Sequence, residues 1–168
     1  MCPWTSGDGD EGTMKESRPI IDTGGVSIPI KDIDAGTKAE VNRVIAVRWF
    51  QQVWNERRTE TIDELFGDKA VGHMEGGDQD RAGFKTAREG LLDAFPDIQV
   101  KIEDTVADND HVVVRWRVHA THTGGGLGLP ATGRAVDFRG MTWMTFKDGV
   151  IVEGWDSWNL GALLESLK

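Results

Sequence analysis

The segment Val152–Asn159, VEGWDSWN, sets a single carboxylate, Asp156, between Trp155 and Trp158. Burying an unpaired charge is costly, and the usual outcome is an acid whose pKa moves upward. An acid in such company is therefore either a proton-transfer group tuned by apolar walls or half of an ion pair. On a regular strand Val152, Gly154, Asp156 and Trp158 share one face, while Ile151, Glu153, Trp155 and Ser157 share the other. The hairpin turn before it decides the neighbours. A three-residue loop with Gly149 as its bulge sets Asp156 near Gly140, with Phe138 and Thr142 alongside, an apolar setting. A two-residue Asp-Gly turn sets it near Met141 with Arg139 diagonal, which makes a salt bridge. Both registers are open to the sequence.

Other polar residues compete for a role. His122 falls on the face of Val112, Val114, Trp116, Val118 and Ala120, so it is either a donor to a bound ligand or a core histidine. His119 lies on the opposite face with Arg115 and Arg117, which makes the HATH segment a poor chelating pair. No metal site is expected. Trp116 is a core residue or the wall of a pocket for a planar ligand. The run Gly124–Gly126 is no phosphate loop, because no Lys-Ser/Thr follows and a strand comes next. It reads as a flexible loop over a pocket mouth, a candidate lid.

The elements that must carry these residues are legible from period and punctuation. Thr37 and Glu40 form a capping box ahead of a well-covered helix containing Val44, Ile45, Val47, Trp49, Phe50, Val53 and Trp54, and Asn55 ends it. Thr61 and Glu64 repeat the box, and Gly67 closes a short second helix. KAVGH is a short strand ending at His73, and a third helix runs from about Asp80 to Phe95, stopped by Pro96. From Ile98 the period is two. Strands follow over about 98–107, 111–123, 134–146 and 150–158, and a short closing helix starts at Leu160. Helices followed by a meander of long strands make an α+β chain. The expected architecture is a cone-shaped α+β barrel, three helices packed in a strongly curved antiparallel sheet that encloses a pocket. Residues 1–36, rich in Gly, Asp and Ser, read as a flexible extension, and 37–168 as the domain.

Composition narrows the partners. The 168 residues suit one domain, and the net charge of −9 argues against nucleic acid, which needs a basic face. No apolar run approaches the length of a membrane span, and no basic-then-apolar leader opens the chain. Cys2 is the only cysteine, which excludes an internal disulfide and makes the cytoplasm the default compartment. Seven Trp with no Tyr suit a pocket with large aromatic walls. Arg115 and Arg117 mark a polar outer sheet face that could pair two copies into a homodimer or higher homo-oligomer.

VWN (53–55), FPDI (95–98), RWRVHATHTGGGLGLPATGR (115–134) and DGVIVEGWDSWN (148–159) together resemble the SnoaL-like polyketide cyclase and ester cyclase family, of the nuclear-transport-factor-two-like fold. The resemblance runs from about residue 38 to the C-terminus. It implies a cofactor-free intramolecular aldol condensation of a hydrophobic small molecule, with Asp156 as general acid and base. It also implies pocket roles for His122, for His73 at the mouth, for Asn55, and for Trp116 and Trp158 with Thr142 nearby. The chain departs from the family pattern at Gly154, where His is frequent, and at Asn159, where a second Asp is frequent. The rival expectations are another proton-transfer reaction in the same cavity (isomerisation, dehydration or epoxide hydrolysis) and a binding protein without chemistry.

Overall fold

The computed structural model describes residues 36–168 and two short paired strands before them, β1 (Ile20–Asp22) and β2 (Ser27–Pro29). The expected flexibility of residues 1–36 otherwise lies outside the described residues. The chain then forms α1 (Lys38–Trp49), α2 (Glu60–Leu65), β3 (Phe66–Met74), β4 (Gly77–Gln79) and α3 (Arg81–Ala94). The long strands β5 (Gln99–Ala107), β6 (His111–Thr121), β7 (Ala135–Lys147) and β8 (Val150–Trp158) follow, closed by α4 (Leu160–Ser166).

Six strands make one curved sheet in the order β4-β3-β8-β7-β6-β5. Neighbours pair antiparallel except β3 and β8, which run parallel. The sheet curls round the helices but does not close, since β4 and β5 remain its edges. The fold is thus the expected α+β cone, its strongly curved sheet left unclosed. The parallel β3–β8 pair is absent from a simple meander; it joins segments about 80 residues apart, a pairing no local pattern encodes.

Local chemistry explains the helix starts. At α1 the Glu40 N–H donates to Thr37 Oγ1, and the Glu40 carboxylate accepts from the Thr37 N–H at 2.7 Å, the expected capping box. Asp80 caps α3 through the Gly83 N–H at 2.8 Å, and Asn159 caps α4 through the Ala162 N–H at 2.8 Å. The second expected box does not form. α2 starts at Glu60, Thr61 is buried and donates to Gln52 Oε1 at 3.0 Å, and Glu64 pairs with Arg48. Gly67 belongs to β3 rather than to a helix end.

α1 does not simply stop at Asn55. Phe50–Asn55 widens into a π-helical turn, a distortion often found at functional sites, and Arg88 of α3 donates to the Val53 carbonyl at 2.8 Å to satisfy its end. Asn55 is turned to the sheet edge. Its amide donates to the Val100 carbonyl at 3.0 Å and its Oδ1 accepts the Val100 N–H at 2.8 Å. One side chain thereby replaces a missing strand beside β5.

The glycine loop is anchored, contrary to the expected lid. The Thr123 and Gly124 N–H groups donate to the Ala94 carbonyl at 3.1 and 3.2 Å. A Cβ on Gly124 would lie 1.8 Å from the Asp93 carbonyl oxygen, and one on Gly126 1.9 Å from that of Gly90. The glycines let two backbones touch, so the loop is bolted to the last turns of α3.

The β7–β8 hairpin fixes the phase of everything after it. Lys147 pairs with Val150 across Asp148 and Gly149, both at positive φ (52° and 77°), the backbone of a type I′ turn. A strict ladder from this turn would set Asp156 opposite Met141. Instead Phe146 pairs with Ile151 and Thr145 with Glu153, so Val152 is an extra, bulged residue. The bulge returns Gly154, Asp156 and Trp158 to the inner face together with buried Ile151, and sets Asp156 opposite Thr142. Neither register expected from turn length alone is the observed one, because a bulge adds a residue that turn chemistry does not reveal.

Asn55→Ala removes both bonds to Val100 and leaves that backbone uncovered. It should destabilise the protein by about 1–3 kcal/mol in urea unfolding; an unchanged midpoint would show that the edge needs no partner.

Candidate active site

The concave side of the sheet and the helices enclose one aromatic slot. α1 and its π turn bring Trp49, Phe50 and Trp54, and α3 brings Phe84 and Leu91. The sheet supplies Trp116 from β6, Phe138 and Thr142 from β7, and Asp156 and Trp158 from β8. The rings interlock: Phe138 stacks on Trp158 at 5.1 Å, meets Trp116 edge-on at 6.2 Å, and Trp49 lies 5.2 Å from Phe84. About 80 Å³ stays free, room for a few waters. A slender planar group fits such a slot; a bulkier one must part the rings.

Among the described residues Asp156 is the one carboxylate on these walls. Among the described residues it has no Lys or Arg partner within salt-bridge distance, and Arg139, its possible partner in sequence, is exposed opposite Arg117 on the outer face. Its Oδ1 accepts from the Thr142 hydroxyl at 2.5 Å, and Thr142 accepts from the Trp116 indole N–H at 2.9 Å. Burial pushes the Asp156 carboxyl up to about 6; the Thr142 hydroxyl opposes this, the charge of Glu75 adds to it, and the Trp158 indole opposes it weakly. The result is an acid that changes state near neutral pH. That is what proton transfer needs.

The other sequence candidates divide by place. Thr142, Trp116 and Trp158 line the slot with Asp156, and His73 stands at its rim. His73 is doubly engaged, however: Nδ1 meets Asp78 at 2.7 Å, Nε2 meets Glu153 at 3.2 Å, and the ring stacks on Trp155 at 3.9 Å. The hydrogen bond to Asp78, followed by Glu153, holds it protonated above its ordinary range. It clamps β3, β4 and β8 rather than offering a free donor. Asn55 is spent on Val100, as described, and lines no part of the slot.

His122 is fully buried, as its strand face suggested, but it lies past the end of β6. Its Nδ1 meets Thr132 Oγ1 at 3.1 Å and its ring packs on Phe95 at 5.4 Å, outside the aromatic slot. The period of a strand gives the face and not the distance along it. Gly154 does line the slot, and a Cβ there would meet only the Trp143 carbonyl oxygen, at 4.0 Å. Asn159 is occupied as the cap of α4. Among the described residues no three His, Cys, Asp or Glu side chains converge as metal ligands, and no helix is long and apolar enough to cross a membrane.

Sequence reasoning named Gly140 only as a register neighbour of Asp156 and gave it no role of its own. A Cβ there would lie 2.5 Å from the Trp116 ring, so the indole rests on bare backbone where it crosses β7. A lone glycine inside a strand is the signal that could have exposed it.

The pattern for SnoaL-like polyketide cyclases matches residues 44–167. The chain belongs to that family. Among solved structures, AclR from Streptomyces galilaeus, provisionally named a hydroxylase, is 29% identical over 77% of this chain and 82% of its own, with a TM-score of 0.70. IdmH from Streptomyces antibioticus, provisionally named a polyketide cyclase, is 26% identical over 75% of this chain and 97% of its own, at 0.66. A SnoaL-like protein from Jannaschia sp. CCS1 shares the fold at 22% identity and a TM-score of 0.73, over 80% of this chain and 96% of its own. Compared with curated proteins, the chain matches none.

The buried acid has a thermodynamic signature. Folded Asp156 keeps its proton to about pH 6, whereas the ordinary value is 3.8, so between them the native state binds more protons than the unfolded chain. Its contribution to stability therefore falls as pH rises through that window, by about 3 kcal/mol in all. Asp156→Asn should be more stable than wild type at pH 7 by that order, with the gap closing toward pH 4. Denaturant unfolding across this range tests it; equal stability at pH 7 would contradict a costly burial.

Proposed function

We propose that this protein is a cyclase that closes a ring by intramolecular aldol condensation, with Asp156 as general acid and base. The observation carrying this reading is a carboxylate on the wall of an aromatic slot with no cation beside it among the described residues, where burial pushes its pKa up to about 6. The substrate class is a hydrophobic chain bearing a carbon acid between two carbonyls, of the polyketide or β-dicarbonyl ester type. Such a carbon is acidified by its own carbonyls, so the reaction asks for no cofactor.

In the proposed cycle the Asp156 carboxylate takes the C–H proton, and the electron pair stays on the substrate as an enolate. The enolate carbon attacks a carbonyl of the same molecule, forming the C–C bond. The Asp156 carboxyl then returns its proton to the new alkoxide, and the carboxylate is restored. Trp116, Phe138 and Trp158, which rest on one another in the slot, would part to take the folded chain against their faces, which replaces a search over conformations by one bound arrangement. Proton transfer of this kind contributes typically about 10²–10⁴-fold. His73 would keep the rim in place. A protein that binds the same molecules without turning them over is the reading to be tested against this one.

The association state belongs to the same proposal. The outer sheet face exposes Met141, Trp143 and Trp155, at 54%, 48% and 53%, and the two indoles are direct cross-strand partners. Exposed aromatic surface of this kind favours pairing of two copies, ringed here by Arg115, Arg117 and Asp137. A cytoplasmic homodimer acting on a hydrophobic small molecule is the resulting picture.

Two measurements decide. With a β-dicarbonyl polyketide-type chain, Asp156→Asn should lose at least a hundredfold in kcat while still binding product, and wild-type kcat should rise with pH through about 6. Unchanged turnover in the variant would remove the catalytic role, and binding without product by the wild type would favour the binder. In sedimentation, wild type should run as a dimer and Trp143→Glu as a monomer.

A further inference from the structure

Asp156 has two chemically similar oxygens, yet the wall around it treats them differently. Oδ1 accepts from the Thr142 hydroxyl at 2.5 Å, within the range for a hydroxyl bound to a carboxylate. Oδ2 accepts no well-aligned hydrogen bond among the described residues, the Trp158 indole acting on the carboxyl only weakly, and it is not among the buried polar atoms left without a partner. One oxygen is tied to the wall and the other is open to the slot.

The direction of the Thr142 bond is fixed from behind. The Trp116 indole nitrogen can only donate, so at 2.9 Å it uses an acceptor site of Thr142 Oγ1. Thr142 is buried and has one proton of its own, and among the described residues its other partner is Asp156. That proton must go to Oδ1 or be left unmatched inside the fold. A protonated Oδ1 would have to donate to Thr142, turning the Thr142 proton away from every acceptor. The chain Trp116 N–H to Thr142 O–H to Oδ1 therefore runs one way in both states of the acid.

Gly140 makes this possible. It pairs with Trp116 on one side and Trp158 on the other, and any Cβ would collide with the Trp116 ring at 2.5 Å. Only bare backbone lets the indole cross β7 and reach Thr142.

We propose that Trp116 and Thr142 are positioning residues that hold Oδ1 as a permanent acceptor, so that Oδ2 alone takes the proton from the substrate and returns it. This rests on the reading of Asp156 as the acid and base. It adds a stereochemical demand: the carbon acid and the new alkoxide must both come within reach of Oδ2, hence lie on the same side of the ring being closed.

The test uses the free protein, so it stands apart from turnover. The ¹³Cγ resonance of Asp156 and the Trp116 indole N–H resonance are followed by NMR against pH. In wild type the indole signal should shift with the same midpoint as the carboxyl, and in Asp156→Asn that shift should vanish. Thr142→Val removes the donor to the charged form and should raise the midpoint by about one unit, a tenfold change in acid constant. Thr142→Ser should restore the wild-type midpoint. Trp116→Phe frees the hydroxyl to accept as well as donate, and should raise the midpoint by less than Thr142→Val. An indole signal indifferent to the titration overturns the proposal, as does an unmoved midpoint in a folded Thr142→Val. If these shifts occur while Asp156→Asn still turns substrate over, the acid–base reading falls and the polarised chain stands.

Discussion

The site depends on one unfavourable act, the placing of a carboxyl group against indole rings with no cation beside it among the described residues. Such a group survives burial in either of two ways: it holds its proton, or it receives strong hydrogen bonds when it gives the proton up. Here the surroundings supply some of each. Aromatic walls push the pKa of Asp156 up to about 6, and the Thr142 hydroxyl keeps it from rising further. A salt bridge to Arg139 would have fixed the charge and ended any proton traffic. The sheet instead turns that arginine outward.

The rest of the structure keeps this arrangement enclosed and registered. The π turn at the end of α1 and the single apolar face of α3 close the concave side of the sheet with Trp49, Phe50, Trp54 and Phe84. Arg88 Nε and the Asn55 amide meet backbone groups at that closure that no strand or helix pairs. The glycine loop is bolted to α3 by contacts between backbones, which makes it part of the frame. His73, held by Asp78 and Glu153, ties the parallel strand to β8 beside the slot.

Much of this was legible in the sequence where the signal is local. The capping box at Thr37, the break at Pro96, the change to period two after Ile98 and the Asp148-Gly149 turn each act within a few residues. Family motifs pointed to the fold as a whole. Misreadings came where geometry is set at a distance. The Thr61–Glu64 spacing mimics a cap, but Thr61 is claimed by Gln52 of the preceding turn. His122 has the face that period two assigns it and sits beyond the slot. The bulge at Val152 has no residue signature, because valine suits a regular strand equally well.

That bulge also says how the protein tolerates change in its length. Side chains alternate strictly along a strand, so one residue gained or lost between Lys147 and Trp155 would exchange the two faces of β8. Trp155 would then look into the slot and Asp156 into solvent, with every residue type preserved. This hairpin is therefore constrained by count as well as by composition, since one inserted residue turns Asp156 out of the slot with no change in residue type.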